Sequence, residues 1–101
     1  MAEAAYRNKI RNNPGLTKFQ KKVLLATLDI PRGEIRSYAW VAKKAASPRS
    51  ARAVGQVMAI NPYPPHVPCH RVIAGDGSIG GYSLGPAQKR RLLKREGVII
   101  K

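Results

Sequence analysis

The chain is poor in thiols, in acids and in long apolar runs. Cys69 is its one cysteine among 101 residues, so no internal disulfide can form, and that usage fits a reducing compartment. No apolar run is long enough to cross a bilayer. Met1 to Asn13 mixes Glu3, Arg7, Lys9 and Arg11 among alanines. It lacks the apolar stretch of a signal peptide, which predicts an intracellular protein. Internal repeats and low-complexity tracts are absent too, and a chain of this length has room for one modest core but not for two. Acids are the scarcest class: Glu3, Asp29, Glu34, Asp76 and Glu96 are the five, against 19 Lys and Arg, for a net charge of +14. Such a field concentrates polyanions, and phosphate backbones are the usual partner. An anionic membrane surface competes with that explanation, and a merely solvated surface is the blandest one. The basic residues recur from Arg7 to Lys101, so the charge belongs to a folded surface and not to a disordered arm.

Residues 1–15 read as an N-terminal extension, a short helical turn or a frayed end, stopped by Asn13-Pro14-Gly15. Thr17 followed by Gln20 is a capping-box pattern, and Phe19, Val23, Ala26 and Ile30 repeat at helical spacing. These predict a helix from about 17 to 29, ended by Pro31-Arg32-Gly33. Gly33 to Arg36 reads as a short extended link. Ser37 can cap a second helix, about 38–46, and Ser47-Pro48 opens a third that runs to about Ile60, before Asn61-Pro62. The third has an apolar stripe of Ala51, Val54 and Met58, and an opposite face with Arg49, Arg52 and Gln56. Two short helices joined by a tight connection, the second with Arg and Gln facing out, match a helix-turn-helix at about 38–60. Solvation alone also explains a charged outer face, but with +14 the pattern points to nucleic acid.

Residues 61–68 hold Pro62, Pro64, Pro65 and Pro68, so the segment is stiff and irregular. It is either an ordinary connection or a rigid mount for the hexapeptide at its end, Pro68-Cys69-His70-Arg71-Val72-Ile73. A free cysteine is often just a small buried hydrophobe. Here an imidazole comes next and a guanidinium one residue later, and bases and cations favour the nucleophilic thiolate. Beyond the hexapeptide, Val72-Ile73 and Ile79 flank Gly75-Asp76-Gly77-Ser78, a hairpin turn pattern. Pro86 opens a last helix, about 86–96, with Gly97 as its C-cap, and Val98-Ile99-Ile100 could add a strand. The expected fold is a mostly helical α+β single domain.

Six motifs in order then resemble one family over residues 16–98. They are Phe19-Gln20 with Ile30-Pro31-Arg32-Gly33-Glu34; Ser37-Tyr38; Ala51-Arg52-Ala53-Val54-Gly55; Asn61-Pro62 with Pro68 to Ile73; Gly81-Tyr82-Ser83-Leu84-Gly85; and Leu92 to Gly97. The chain resembles the C-terminal domain of the O6-alkylguanine-DNA alkyltransferases (methylated-DNA–protein-cysteine methyltransferases). The resemblance implies that residues 16–101 form a DNA-binding and catalytic domain. Such a domain flips an alkylated guanine out of duplex DNA and moves the alkyl group to a cysteine once and irreversibly. It implies Cys69 as the acceptor, His70 as its base through a bridging water, and Glu96 as the group that orients and charge-stabilises the histidine. Tyr38 would donate toward the departing purine, and Asn61 would bridge the recognition helix and the active-site loop. Arg52 would fill the place the base vacates, although spacing alone suits a phosphate contact or plain solvation. Ser37, Arg49, Ala51 and Gln56 would meet DNA beside it. Val72, Tyr82, Ser83, Pro64 and Met58 would line the substrate pocket, with the carbonyls of Cys69 and Val72 receiving the exocyclic amine. Gly80-Gly81 would let the lid approach closely.

The resemblance implies double-stranded DNA containing O6-alkylguanine as the partner, a monomer, no membrane contact and no cofactor, with the protein in the cytoplasm or at the nucleoid. No zinc site is expected, because His66, Cys69 and His70 are only three candidate ligands where a structural site wants four. The family's usual N-terminal domain is not expected in this chain, and Ala59-Ile60 is bulkier and less polar than the family pattern. One rival stays open, the compact alkyltransferase-like sensors, which bind the lesion without transfer and replace the cysteine. A small operator-binding protein would also explain charge and helix-turn-helix, but it leaves Pro68 to Ile73 unexplained.

Overall fold

Thr17 and Gln20 cap each other: Thr17 Oγ1 accepts the Gln20 N–H at 3.1 Å and Gln20 Oε1 accepts the Thr17 N–H at 2.9 Å. Two donors that the first helical turn would leave unpaired are thereby satisfied. The computed structural model describes residues 2–47, 49–75, 79–80, 82 and 84–98. In these, the order is α1 (Ala2–Arg11), α2 (Lys18–Thr27), β1 (Arg36–Ser37), α3 (Tyr38–Lys44), α4 (Ala51–Ile60), a 3-10 turn at Cys69–Arg71, β2 (Val72–Ile73) and α5 (Pro86–Arg95). The architecture is mostly helical α+β, as the periodicities predict.

The core is built from one face of each helix. Val23, Leu24, Ala26 and Thr27 of α2, Val41 and Ala42 of α3, and Val54, Val57 and Met58 of α4 are buried together with Val67, Cys69 and Val72. Thr27 is tolerated there because its hydroxyl donates to the Val23 carbonyl at 2.8 Å. α1 joins the same core. The short helical turn or frayed end expected here is a full ten-residue helix with Ile10 fully buried. Lys21 Nζ donates to the Arg11 carbonyl at 2.8 Å, and Arg7 pairs with Asp29. Apolar spacing in residues 1–15 was too sparse to signal this; one isoleucine and two polar ties hold the helix.

Three other expectations are corrected. The third helix starts at Ala51, not at Ser47-Pro48, and Pro48 lies outside the described residues. Ser47 instead closes α3: its N–H donates to the Ala42 carbonyl at 2.8 Å, with Ala46 in the left-handed region at φ 60°. That six-to-one bond completes a Schellman turn and sets the corner of the helix-turn-helix. Ala51 is half-buried, and Val57 takes its place in the apolar stripe. The partner of β2 is β1, in parallel, with Arg36 opposite Val72 and Ser37 opposite Ile73. Ile79 is not in a strand, and the proposed hairpin turn at 76–78 lies outside the described residues.

The two-residue sheet matters for position. Ser37 ends β1 and caps α3, its Oγ accepting the Trp40 N–H at 3.1 Å. The strand pair therefore fixes Tyr38, the first residue of α3, against the segment just after Cys69. At the other end of the chain Pro86 opens α5 and Gly97, at φ 84°, ends it. Val98 is not in a strand, and Ile99 and Ile100 lie outside the described residues.

Candidate active site

Cys69 sits in the 3-10 turn at the end of the proline-rich loop, with none of its surface exposed. The Pro64–Pro65 peptide bond within that loop is cis. Asn61, the residue after α4, is buried and holds the loop from inside. Its Nδ2 donates to Cys69 Sγ, and to the Val67 carbonyl at 2.9 Å, while its Oδ1 accepts the Tyr63 N–H at 3.0 Å. A side chain that both donates and accepts is what this bridging requires.

His70 is 2% exposed, and its Nε2 lies 3.0 Å from Glu96 Oε2. The Glu96 carboxylate can only accept, so the neutral imidazole carries its proton on Nε2 and keeps the Nδ1 lone pair. Nδ1 is buried with no hydrogen-bond partner among the described residues. Burial lowers the His70 pKa below 6.5, with Glu96 opposing that shift. The ring is therefore a neutral base at physiological pH, with one nitrogen oriented and the other available.

Glu96 is also gripped by Arg71. Arg71 Nε donates to Oε1 at 2.9 Å and Nη2 to Oε2 at 2.8 Å, a bidentate fork, and Nη1 donates to the Ile30 carbonyl at 2.7 Å. Burial alone would raise the carboxyl pKa, but the bonds from Arg71 and His70 hold it at about 2. The guanidinium expected to activate the thiol thus serves the carboxylate instead.

The cation on the thiol's side is Lys89, which the sequence did not single out. It is fully buried, its Nζ donates to the Val72 carbonyl at 2.6 Å, and it lies 6.0 Å from the centre of the Tyr38 ring. Burial pulls its pKa down to about 8, and its charge acts to lower that of Cys69. A signal was available. Lys89, Leu92, Leu93 and Glu96 fall three, four and seven residues apart, on the one face of α5 that meets the core. The thiol itself is pushed up to about 12 by burial, against the opposing bond from Asn61. Cys69 rests as a thiol, so any nucleophilic step needs a base.

Tyr38 is half-buried between two glycines. The α4 residue Gly55 lies against its ring, where a Cβ would stand 3.4 Å from Cε2. At Gly80, φ 74°, a Cβ would stand 1.8 Å from the phenol oxygen, so only glycine fits. The close approach expected of Gly80 is made to Tyr38. Tyr82 is buried, its ring edge-on to His70 at 6.3 Å, and its hydroxyl has no partner among the described residues. Burial first, then Cys69 and Glu96, raise its pKa to about 12. Gly81 and Ser83 lie outside the described residues. Val72 and Met58 are fully buried and Pro64 is half-buried. The Cys69 and Val72 carbonyls already accept the Val72 N–H and Lys89 Nζ.

Arg52 and Gln56 are exposed on α4, and Arg49 is exposed just before it. They are not gathered at the thiol. α4 connects the two regions, because its outer face carries these side chains and its end delivers Asn61. His66 is exposed and stacked on Tyr6, away from His70. Among the described residues no three His, Cys, Asp or Glu side chains are grouped to hold a metal, and no helix is long and apolar enough to cross a membrane.

Fold and site together define a helix-turn-helix protein with a buried thiol, imidazole and carboxylate set behind its second helix. Residues 18–98 match the family model described as 6-O-methylguanine DNA methyltransferase, DNA binding domain, and the chain belongs to that family. It is 46% identical over 87 residues to the methylated-DNA–protein-cysteine methyltransferase of Methanothermobacter thermautotrophicus, covering 85% of this chain and 48% of that relative. It superimposes on Mycobacterium tuberculosis OGT in complex with DNA with a TM-score of 0.78 and 46% identity, covering 81% of this chain and 50% of that one. Schizosaccharomyces pombe Atl1, in complex with damaged DNA containing O6-carboxymethylguanine, matches with a TM-score of 0.72 and 35% identity, covering 85% of this chain and 82% of Atl1. The chain spans about half the length of the curated methyltransferases it matches.

Proposed function

We propose that this protein repairs DNA by moving an alkyl group, typically methyl, from O6 of a flipped guanine to Cys69, once per molecule. The observation that carries the reading is the imidazole next in sequence to the buried thiol, neutral and bound to Glu96, whose Nδ1 has no hydrogen-bond partner among the described residues. In the transfer a bond forms between Sγ and the alkyl carbon as the bond from that carbon to O6 breaks. The thiol proton passes through a bridging water to His70, whose positive charge is met by the ionised Glu96, and Tyr38 donates toward the purine that leaves as an anion. Residues 16–101 would do the DNA-binding and catalytic work, as a monomer on the duplex, in the cytoplasm or at the nucleoid.

The base must leave the stack, at a cost of a few kcal/mol. Arg52 would enter the gap and offset part of that cost, with Arg49, Ala51, Gln56 and Ser37 alongside. Tyr82, Ser83, Val72, Pro64 and Met58 would bound the pocket. Arg52→Ala is therefore expected to slow transfer from duplex about a hundredfold, and from free O6-benzylguanine less than about threefold. Equal losses on the two substrates, in single-turnover assays, would remove Arg52 from this role.

Intact mass after incubation with an O6-methylguanine duplex tests the main reading. A gain of one methyl, mapped to Cys69, supports it. Tight binding with unchanged mass overturns it in favour of the lesion-sensor reading, with which the likeness to Atl1 is consistent. Against the sensor stands Cys69 itself, whose sulfur is the one atom the reaction cannot do without.

A further inference from the structure

α1 lies ahead of the residues that match the family model, yet it touches the loop that carries the thiol. The Tyr6 ring stacks on His66, with centroids 4.8 Å apart and planes at 9°, and meets Tyr63 edge-on at 5.8 Å. Asn13 Nδ2 donates to the Tyr63 hydroxyl at 2.8 Å, and that hydroxyl in turn reaches the Lys9 carbonyl at 3.5 Å. Tyr63 and His66 both belong to the segment between α4 and Cys69. The Tyr63 N–H is the donor to Asn61 Oδ1, and Asn61 Nδ2 is the donor to Cys69 Sγ. Four groups thus form an unbroken line to the sulfur from the residue two past the end of α1: Asn13, Tyr63, Asn61, Cys69.

We propose that α1 is a positioning element for Cys69: Tyr6 and Asn13 clasp the 61–68 loop through His66 and Tyr63, and so hold Asn61 against the thiol. Three physical points support this. The loop's four prolines make it stiff but supply no N–H donors, so the backbone has fewer bonds with which to anchor it. α1 is itself anchored to the core by Ile10, by Arg7–Asp29 and by Lys21 on the Arg11 carbonyl, so it can act as a fixed wall. A nucleophile displaced by a fraction of an ångström loses rate steeply, so a clasp at one end of the line is felt at the other.

The proposal rests on Cys69 being the alkyl acceptor, and its test separates the two readings. Amide hydrogen exchange and single-turnover transfer from an O6-methylguanine duplex are measured on Tyr6→Ala, Asn13→Ala and Tyr6→Phe. The alanine variants are expected to speed exchange at the Tyr63, Val67 and Cys69 amides about tenfold while α2 and α4 change less than about twofold. Transfer at saturating duplex should slow about tenfold, with the duplex dissociation constant unchanged within about twofold. Tyr6→Phe keeps the ring contacts and should restore both. Unchanged loop exchange overturns the clasp, and so does acceleration spread evenly over the protein. Faster loop exchange with an unaltered transfer rate overturns the positioning role. If the unsubstituted protein transfers nothing, the functional reading fails, and exchange alone still decides the clasp.

Discussion

Cys69→Ala abolishes transfer to the protein and leaves binding to O6-alkylguanine duplex within about threefold of the parent, because the two properties live on different surfaces. The side chains proposed to meet DNA, Arg49, Arg52 and Gln56, are exposed on or beside α4, whereas the sulfur is wholly enclosed and touches Asn61. Removing one sulfur from a packed interior costs on the order of 1 kcal/mol of stability, too little to unfold the domain. Asn61 keeps its bonds to the Val67 carbonyl and the Tyr63 N–H, so the loop keeps its course. The check is paired: intact mass after exposure to an O6-methylguanine duplex, and titration of the same duplex by anisotropy. Residual methylation at another residue would show the nucleophile to be misassigned. Loss of binding together with transfer would show that the thiol holds the base rather than attacks it.

The thiol's environment explains why a neighbouring base is indispensable. A sulfur whose pKa burial has driven to about 12 is almost entirely protonated at neutral pH. That protects the thiol from adventitious alkylation and oxidation, which track thiolate character and exposure, as the proposed single use requires. The proton must then leave as the new bond forms. Two charges favour that step: Lys89, buried and acting to lower the Cys69 pKa, and Glu96, ionised and bound to the imidazole proposed to receive the proton. The field is in place before substrate arrives, so little reorganisation is needed at the moment of reaction.

The helices of the helix-turn-helix half were legible because each obeys local rules. Thr17 and Gln20 predict the start of α2, and Ser37 predicts that of α3. The three-and-four spacing of α4 predicts which residues face out. The illegible features depend on pairs far apart in sequence. Arg71 could be read only as a cation near Cys69; that its fork closes on Glu96 needs α5 to pack beside the 3-10 turn. Lys89 looked like one more surface lysine among 19 basic residues, although its register with Leu92 and Leu93 marked the buried face. The parallel pairing of Arg36–Ser37 with Val72–Ile73 involves two residues a side, too few for any alternation to show. The resemblance, not periodicity, put Asn61 and Glu96 in the site, and the geometry gathers both there. The full length of α1 was missed because its contacts are a single buried isoleucine and side chains that meet partners 10 to 60 positions away.

Glu96→Gln carries the second large effect, and its pH dependence separates structure from chemistry. The carboxylate receives the Arg71 fork and the His70 Nε2–H, and its side chain is only 7% exposed. Gln keeps the shape but presents one acceptor and one donor group, leaving Arg71 with a half-buried, unmatched charge. Breaking such a pair from one side costs roughly 2–4 kcal/mol, on the order of 10–20 °C in Tm for a domain of this size. The sign with pH is set by the two shifted groups. Glu96 has its pKa depressed from 4.5 to about 2, so its contribution is present above about pH 4.5 and is lost as pH falls toward 2, up to about 3 kcal/mol before solvent screening is discounted. His70 has its pKa lowered by burial, so stability also declines as pH drops below 6.5, where the unfolded imidazole takes up a proton and the folded one resists. The variant should therefore keep the decline near pH 6 and lose the one below pH 4.5, and Tm measured from pH 2 to 7 reads this directly. Parallel curves for the two proteins would mean that Glu96 is not ionised and paired as described. Transfer, monitored at pH 7.5 where the variant is folded, should slow about a hundredfold, because the imidazolium formed on proton uptake loses its counter-charge and the ring no longer faces an acceptor-only partner that fixes its tautomer.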